Sequence, residues 1–224
     1  MVIEKSGPFL RAVHPGPGTF DMMRGDAAGS PLTATGYFTR IEALLAQLEV
    51  TDGRGQPVDA NAGFHAVTEW LLSLRDAGRR IMLVGNGGSA SIAGHTKMDL
   101  CNQIHARACT FNDPHLLTSL SNDHGYACVF ERGVDLWCEP GDGLIAISSS
   151  GQSENILRAV RRGKELGARV VTLTGFRADN QLRQLGDWNF YVASDRYGEV
   201  ETAHHVLGHC LTDMAAAVDR SRRA

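Results

Sequence analysis

The sequence has little that would place the chain in a membrane or in an oxidising compartment. Nowhere do about 18 apolar residues follow one another, and the first residues contain no long apolar segment, so neither a membrane span nor a secretory signal is predicted. The five cysteines are scattered and form no C-x-x-C pair, which is typical of buried thiols in a reducing compartment. We therefore expect a cytoplasmic protein with no membrane partner.

The sequence also lacks a strong excess of charge of either sign. The formal net charge is −3, and the one basic cluster, RSRR at 220–223, is short, so nucleic acid is not an expected partner. Residues 1–33 are rich in glycine and proline and show no sustained period, which indicates an N-terminal arm or disordered extension. The remaining residues, 34–224, are enough for one domain with a sizeable core.

The apolar pattern of this domain predicts an α/β fold. Helical spacing over 36–50 and 62–78 is followed by short apolar runs that alternate with helical segments, the pattern of a parallel sheet covered on both faces. We predict a five-stranded parallel sheet flanked by helices on both faces, with two N-terminal helices before it. The predicted strands are 80–85, 106–111, 143–148, 169–174 and 188–192, and the predicted helices between and after them are 88–101, 124–137, 153–167, 179–185 and 199–219.

Two of the predicted strands end in glycine, serine and asparagine immediately before a helix. These segments are IMLVGNGGS (81–89) and LIAISSSGQS (144–153). A helix N-terminus offers unpaired N–H groups, and glycine lets a ligand approach the backbone, so a phosphate fits such a loop. Neither segment is a G-x-G-x-x-G or a Walker A motif, so a nucleotide is not the implied ligand. The alternative is that these residues only turn the chain, with Ser153 as a plain N-cap.

Histidines and carboxylates recur at four-residue spacing on two predicted helices. His95 and Asp99 follow the first loop, and Glu201, His205 and His209 share one face of the last helix. Imidazole and carboxylate donors without thiolate suit a divalent ion such as zinc. On a continuous helix, however, eight residues separate Glu201 from His209, a rise of about 12 Å. Either the helix begins later than predicted, or neighbouring subunits share the site.

These motifs resemble those of a known family. GNGGS, SSSGQSEN and VVTLTG resemble the sugar isomerase (SIS) domain, a five-stranded parallel α/β fold that binds phosphosugars. The closer resemblance is to phosphoheptose isomerases, through His95 and Asp99 after GNGGS, SNDHGYACVFERGVD (121–135) and VETAHHVLGHCL (200–211). The resemblance covers roughly residues 36–219.

The resemblance implies an aldose–ketose isomerase that converts sedoheptulose 7-phosphate to a heptose 7-phosphate through an enediol, with metal assistance. It also implies a homotetramer with sites at subunit interfaces. Asp99 and His209 are the implied acid and base, and a divalent metal, zinc, is expected on His95, Asp99, Glu201 and His209. The implied substrate-binding residues are Asn86, Gly87, Gly88, Ser89, Asn122, Asp123, Ser148, Ser149, Ser150, Ser153 and Glu201.

Two positions depart from the pattern of this family. Asp99 stands where the family usually has Glu, and Glu201 stands where it usually has Gln. These changes leave a second hypothesis open, a non-catalytic SIS protein that senses a phosphosugar or acts as a scaffold of the replication-initiator-associating type. A third hypothesis is an isomerase of the same chemistry that acts on another sugar phosphate.

Overall fold

The structure is a computed structural model, and it describes residues 32–223. The predicted N-terminal arm lies outside the described residues except for Leu32 and Thr33. Thr33 precedes the first helix and accepts a hydrogen bond on its side chain from the backbone N–H of Gly36. Among residues 32–223, every helix is too short or too polar to cross a membrane.

A seven-stranded mixed sheet forms the centre of the fold, in the order β2-β1-β7-β6-β5-β3-β4. The strands are β1 (Glu49–Asp52), β2 (Pro57–Val58), β3 (Arg80–Gly85), β4 (Arg107–Thr110), β5 (Gly143–Ser148), β6 (Arg169–Thr174) and β7 (Trp188–Tyr191). The five strands β4, β3, β5, β6 and β7 pair in parallel, at the places where five parallel strands were predicted.

The predicted strand count of five is wrong because a short hairpin extends the sheet. β1 pairs antiparallel with both β2 and β7, so the sheet is mixed. The turn of this hairpin is fixed by Asp52, whose carboxylate accepts hydrogen bonds from the backbone of Arg54 and Gln56, and by Gly55 at φ 74°. Strands of four and two residues are too short to show an alternating pattern, so the prediction missed them.

Seven α-helices pack on the two faces of this sheet within the described chain. They are α1 (Ala34–Ala46), α2 (Ala60–Asp76), α3 (Gly87–Ile104), α4 (Pro114–His124), α5 (Val129–Trp137), α6 (Glu154–Glu165) and α7 (Tyr197–Arg223). Along β3, Ile81 and Leu83 pack in the core with α2, α3 and α7, while Met82 and Val84 pack in a second core with α5 and α6. The side chains of one strand therefore alternate between two buried faces. The prediction of helices on both faces is confirmed.

Four of the predicted helices differ from the structure. The first, predicted over 36–50, ends at Ala46, and residues 49 and 50 belong to β1. The segment predicted as one helix over 124–137 lies across α4 and α5, which are separated at Gly125 (φ 82°) and by a 3-10 turn at Tyr126–Cys128. Over 179–185 there is only a 3-10 turn, Leu182–Gln184. The last helix, α7, begins at Tyr197, two residues before the predicted start. A late start of this helix therefore does not explain how Glu201 and His209 would share an ion.

Candidate active site

The two glycine- and serine-containing loops lie side by side at the carboxyl ends of adjacent parallel strands. β3 pairs with β5 up to the partners Gly85 and Ile147, and the loops follow directly. α3 begins after Asn86 and α6 begins after Ser153, yet within the described chain neither side chain makes a capping hydrogen bond to its own helix. In contrast, Asp59 caps α2. The plain N-cap role considered for Ser153 is not seen, and both helix N-termini are left to another acceptor.

A pair of asparagines connects the two loops. The side-chain amide of Asn86 donates to Oδ1 of Asn155 at 2.9 Å, and the amide of Asn155 donates back to Oδ1 of Asn86 at 3.0 Å. The hydroxyl of Tyr126 also donates to Oδ1 of Asn86, at 2.8 Å. Asn155 is buried at the start of α6. The side chain of Asn86 is therefore engaged in holding the two helix starts together.

The serines of the second loop lie at different depths. Ser148 and Ser149 are buried, and Ser150 and Ser153 are partly exposed. Oγ of Ser148 accepts a hydrogen bond from the backbone N–H of Gly151 at 3.2 Å and lies 3.5 Å from Oγ of Ser153. Oγ of Ser149 is buried and has no hydrogen-bond partner among the residues described. A hydroxyl in this state is available to a ligand.

The shape of the second loop depends on Gly151 and Asn180. Gly151 has φ 61°, and a β-carbon at this position would overlap the buried side chain of Asn180. Asn180 donates to the carbonyl oxygens of Gly175 and Arg177 and accepts from the N–H of Arg183. These hydrogen bonds fix Asn180 against Gly151 and so support the shape of the second loop. Asn180 was not identified by the sequence analysis.

Glycines allow close contacts between helices α3 and α7 at two points. A β-carbon on Gly88 would overlap the carboxylate of Glu201, and a β-carbon on Gly208 would lie 2.6 Å from Oγ1 of Thr96. The first contact places Glu201 beside the first loop. The second lies further along both helices, next to the histidines.

One cluster between α3 and α7 contains most of the predicted acid–base and metal-ligating groups. Oδ2 of Asp99 lies 3.6 Å from Nε2 of His95 and 3.3 Å from Nδ1 of His209. His205 completes the cluster: its ring stacks on that of His209 with centroids 5.1 Å apart, and the ring of His95 meets both edge-on. One nitrogen from each of the three imidazoles lies within 4.8 Å of the others.

Burial shapes the electrostatics of this region. Asp99 is buried, and its Oδ2 has no hydrogen-bond partner in the part of the chain that the structure describes; the same holds for Nε2 of His205. Burial lowers the pKa of His205, and the imidazoles of His95 and His209 lower it further. Burial raises the pKa of Glu201. The lowered pKa of His205 favours its neutral imidazole, the form that binds metal ions.

Other predicted residues lie apart from this cluster. Asn122 and Asp123 are exposed at the end of α4, where the amide of Asn122 donates to Asp123 at 3.0 Å. Tyr126, just beyond them, is the residue that reaches the first loop. Sequence reasoning missed Tyr126 and Asn155. It placed His205 on the face of His209 but did not assign it a role.

His204, next to His205, lies in the core rather than in the cluster. Nε2 of His204 is 3.1 Å from the carbonyl oxygen of Thr174, and the side chain is fully buried. Burial lowers the pKa of His204 to about 4, while the contact with Thr174 opposes this shift. His204 is therefore a neutral structural histidine.

Comparison with known proteins defines the class of protein that this fold and site represent. The sequence profile of the SIS domain matches residues 37–175, well over half of the chain. The chain is 36% identical over 149 residues to a phosphoheptose isomerase of Aquifex aeolicus, covering 63% of this chain and 76% of that protein. It is also 36% identical over 155 residues to one of Mycobacterium tuberculosis, covering 66% and 78%.

Solved structures agree with this result. The phosphoheptose isomerase of Francisella tularensis matches with a TM-score of 0.70 and 25% identity over 82% of this chain and 98% of that one. The enzyme of Neisseria gonorrhoeae matches with a TM-score of 0.67 and 25% identity, covering 81% and 91%. The chain belongs to the phosphoheptose isomerase family of SIS-domain proteins, and it is an isomerase.

Proposed function

We propose that the chain interconverts sedoheptulose 7-phosphate and a heptose 7-phosphate through an enediol. The observation that carries this proposal is the position of Asp99 on α3, the helix that starts at the first loop. Its Oδ2 has no hydrogen-bond partner among residues 32–223 and lies against His95 on the same helix and His209 on α7. An anion-binding helix start and a carboxylate–imidazole pair on one element are what a phosphosugar isomerase needs.

The two loops bind the phosphate end of the sugar in this proposal. The helix starts after Asn86 and after Ser153 lack a side-chain cap within the described chain, so their N–H groups can meet phosphate oxygens. The surrounding hydroxyls add donors, and one of them is the buried Oγ of Ser149, which has no hydrogen-bond partner in the described part of the chain. The proposed substrate-binding residues remain Asn86, Gly87, Gly88, Ser89, Asn122, Asp123, Ser148, Ser149, Ser150, Ser153 and Glu201, with Asn86 acting through its bonds to Asn155 and Tyr126.

Asp99 and His209 move the protons of the reaction in this proposal. Isomerisation requires a base that takes the proton from C1 of the ketose and returns it to C2, while a second group shifts a proton between the two oxygens. His209 is exposed and can meet the sugar, whereas Asp99 is buried beneath it. Nδ1 of His209 and Oδ2 of Asp99 are 3.3 Å apart, so the two groups are close enough to act together.

The donor set of the cluster fits a divalent ion. Imidazole and carboxylate ligands without thiolate suit zinc. The buried Oδ2 of Asp99 and Nε2 of His205 have no hydrogen-bond partner among residues 32–223. His95, Asp99 and His209 are the predicted ligands that the structure brings together. A bound ion would polarise the carbonyl and hydroxyl oxygens of the sugar.

Glu201 has a different setting from the other predicted ligands. Its carboxylate packs against Gly88 at the first loop, and burial raises its pKa, so it holds a proton more readily than an exposed glutamate. In this position it is suited to exchange hydrogen bonds with a sugar hydroxyl.

We also propose that the chain forms a homotetramer with sites at subunit interfaces. Met98 on α3 and Val206 on α7 expose apolar side chains beside the cluster, and Phe38 on α1 is 68% exposed. Light scattering coupled to gel filtration checks this: a tetramer is expected, and Met98→Glu or Val206→Glu should reduce the mass. A monomer at all concentrations contradicts the proposal.

Turnover is tested by incubating the purified chain with sedoheptulose 7-phosphate, with and without added zinc, and following heptose 7-phosphate by NMR. Product formation is expected. If sedoheptulose 7-phosphate is inert while another ketose phosphate reacts, the substrate assignment is wrong. If every sugar phosphate binds but none reacts, the scaffold or sensor hypothesis replaces catalysis.

A further inference from the structure

The VVTLTG motif (170–175) has no task in the proposed function, although it ends beside the site. Its residue Thr174 ends β6 and is the register partner of Ser148, which ends β5 immediately before the second loop. Residues 174–176 therefore run next to that loop. At the end of this segment Phe176 has φ 57°, a left-handed backbone conformation that bulky side chains seldom adopt. A conformation of this kind persists only where the surrounding structure holds it.

β7 and the residues after it hold the end of segment 174–176. The hydroxyl of Tyr191 donates a hydrogen bond to the carbonyl oxygen of Phe176 at 2.8 Å. The N–H of Phe176 donates to the carbonyl oxygen of Ser194, also at 2.8 Å. The left-handed residue is therefore held on both its N–H and its carbonyl, so the segment keeps one shape beside the second loop.

The segment also supports the second loop. The N–H of Gly175 donates to the carbonyl oxygen of Ser149 at 3.0 Å, and the carbonyl of Gly175 accepts from the side-chain amide of Asn180 at 3.2 Å. Ser149 is the serine whose buried Oγ has no hydrogen-bond partner among residues 32–223. The position of Gly175 therefore decides where this proposed phosphate donor lies.

Helix α7 contacts the segment at two points that lie one turn apart. Nε2 of His204 is 3.1 Å from the carbonyl oxygen of Thr174, and because a carbonyl only accepts, this nitrogen carries the proton and donates. A β-carbon on Gly175 would lie 2.7 Å from Cγ1 of Val200, so only glycine lets the helix come this near. His204 is fully buried and cannot meet the sugar. Its contact can act on the reaction only through the backbone.

We propose that His204 is a positioning residue for phosphate binding, because its bond to Thr174 fixes the segment whose Gly175 N–H places Ser149. This inference rests on the proposed phosphate role of the second loop and deepens it. His205, the next residue of α7, belongs to the histidine cluster. One helix therefore holds both the cluster and the loop, and the distance between them has to match the length of the sugar phosphate.

The first test compares two replacements of His204. In His204→Gln a side-chain amide can still donate to Thr174, whereas His204→Leu fills a similar volume without a donor. The carbonyl of Thr174 keeps its bond from the N–H of Val192 in both variants, so neither leaves it unpaired. We expect His204→Leu to bind inorganic phosphate and sedoheptulose 7-phosphate about 3–10-fold more weakly, the effect of one lost hydrogen bond, and His204→Gln to stay within about twofold of the unaltered chain.

The measurements separate phosphate binding from turnover. Calorimetric titration gives both affinities without any reaction, and steady-state kinetics show whether KM rises more than kcat falls. Hydrogen exchange followed by mass spectrometry reports on the segment itself, because peptides covering residues 170–180 should exchange faster in His204→Leu than in His204→Gln. Circular dichroism checks that each variant is folded.

A pair of glycine variants repeats the test from the second contact and decides it if His204→Leu does not fold. Gly175→Ala sets a β-carbon 2.7 Å from a methyl group of Val200 and should weaken phosphate binding. Gly63→Ala is the matched control, because its β-carbon also lies 2.7 Å from a valine methyl group, that of Val50 on β1. The control should cost stability but leave the phosphate affinity unchanged.

Unchanged phosphate affinity in a folded His204→Leu, or equal losses in His204→Gln and His204→Leu, would overturn the inference. Equal losses in Gly175→Ala and Gly63→Ala would do the same, because they would trace the effect to general destabilisation. Absence of phosphate binding by the unaltered chain would overturn it together with the phosphate role of the loops. Phosphate binding that depends on His204, without any turnover, would leave the inference standing and refute only the proposed isomerisation.

Discussion

Asn86 and Asn155 exchange a pair of amide hydrogen bonds, of 2.9 and 3.0 Å, between the starts of α3 and α6. Each residue belongs to a different loop, and both loops follow strands that pair directly in the sheet. This pair of bonds sets the distance between the N-termini of α3 and α6. A phosphate bound by both helices would have to contact both N-termini at once. The pair of bonds therefore assigns Asn86 a structural task in addition to any contact with the sugar.

Replacing Asn155 should weaken phosphosugar binding more than it slows the chemical step. In Asn155→Ala, Asn86 loses two of its three side-chain hydrogen bonds, and we expect the free energy of unfolding to fall by about 1–3 kcal/mol. KM should rise with a smaller change in kcat. Tyr126→Phe, which removes a single bond at an exposed side chain, should have a smaller effect. An unchanged KM in Asn155→Ala would show that the Asn86–Asn155 bonds do not contribute to phosphosugar binding.

Replacing Asp99 by asparagine should abolish most of the activity without unfolding the chain. The substitution keeps the shape of the side chain, but the amide cannot take up a proton, so kcat should fall by about 10²–10⁴-fold. Steady-state kinetics and thermal unfolding measure the two quantities separately. Asp213→Asn, on the exposed side of α7, is the control and should retain activity. Full activity in Asp99→Asn would remove Asp99 from the acid–base role.

A methyl group added at Gly208 should push the two helices of the site apart. The new β-carbon would lie 2.6 Å from Oγ1 of Thr96, so we expect a loss of about 1–3 kcal/mol in unfolding free energy, together with weaker zinc binding. Gly94→Ala is the matched control because nothing lies within 4 Å of its added carbon. Alanine is the better helix former, so this control should gain about 0.5–1 kcal/mol. Urea unfolding and chelator competition give both readouts, and equal behaviour of the two variants would contradict the close-packing argument.

His204 should make the protein less stable in mild acid. Its pKa is near 6.5 in the unfolded chain and about 4 in the fold, so the unfolded chain binds more protons between these values. Stability from this group is present above about pH 6.5 and is lost as the pH falls towards 4. We expect a loss of about 2 kcal/mol between about pH 7.5 and about pH 5.

This prediction is tested by comparing the slope of the free energy of unfolding against pH in the unaltered chain and in two histidine variants. In His204→Gln this slope should become shallower, while His65→Gln, at an exposed position, should keep the original slope. The slope is informative even if His204→Gln is less stable at neutral pH. Parallel curves for the unaltered chain and His204→Gln would show that another group is responsible.

The five parallel strands could be predicted because each is buried on both faces and so appears as a short apolar run between helices. The β1–β2 hairpin could not, since its strands have only four and two residues. Four-residue spacing correctly grouped His95 with Asp99 and His205 with His209 on shared faces. It could not show which turn of α7 meets which turn of α3, because the contacts of Gly88 and Gly208 decide that register.

Because α7 is one continuous helix, Glu201 and the histidines of the cluster keep fixed directions relative to one another around the helix axis. The helix turns by about 100° per residue, so inserting one residue between Glu201 and His205 would swing the imidazoles off the face that holds the glutamate. The eight-residue interval between Glu201 and His209 therefore tolerates no change in length.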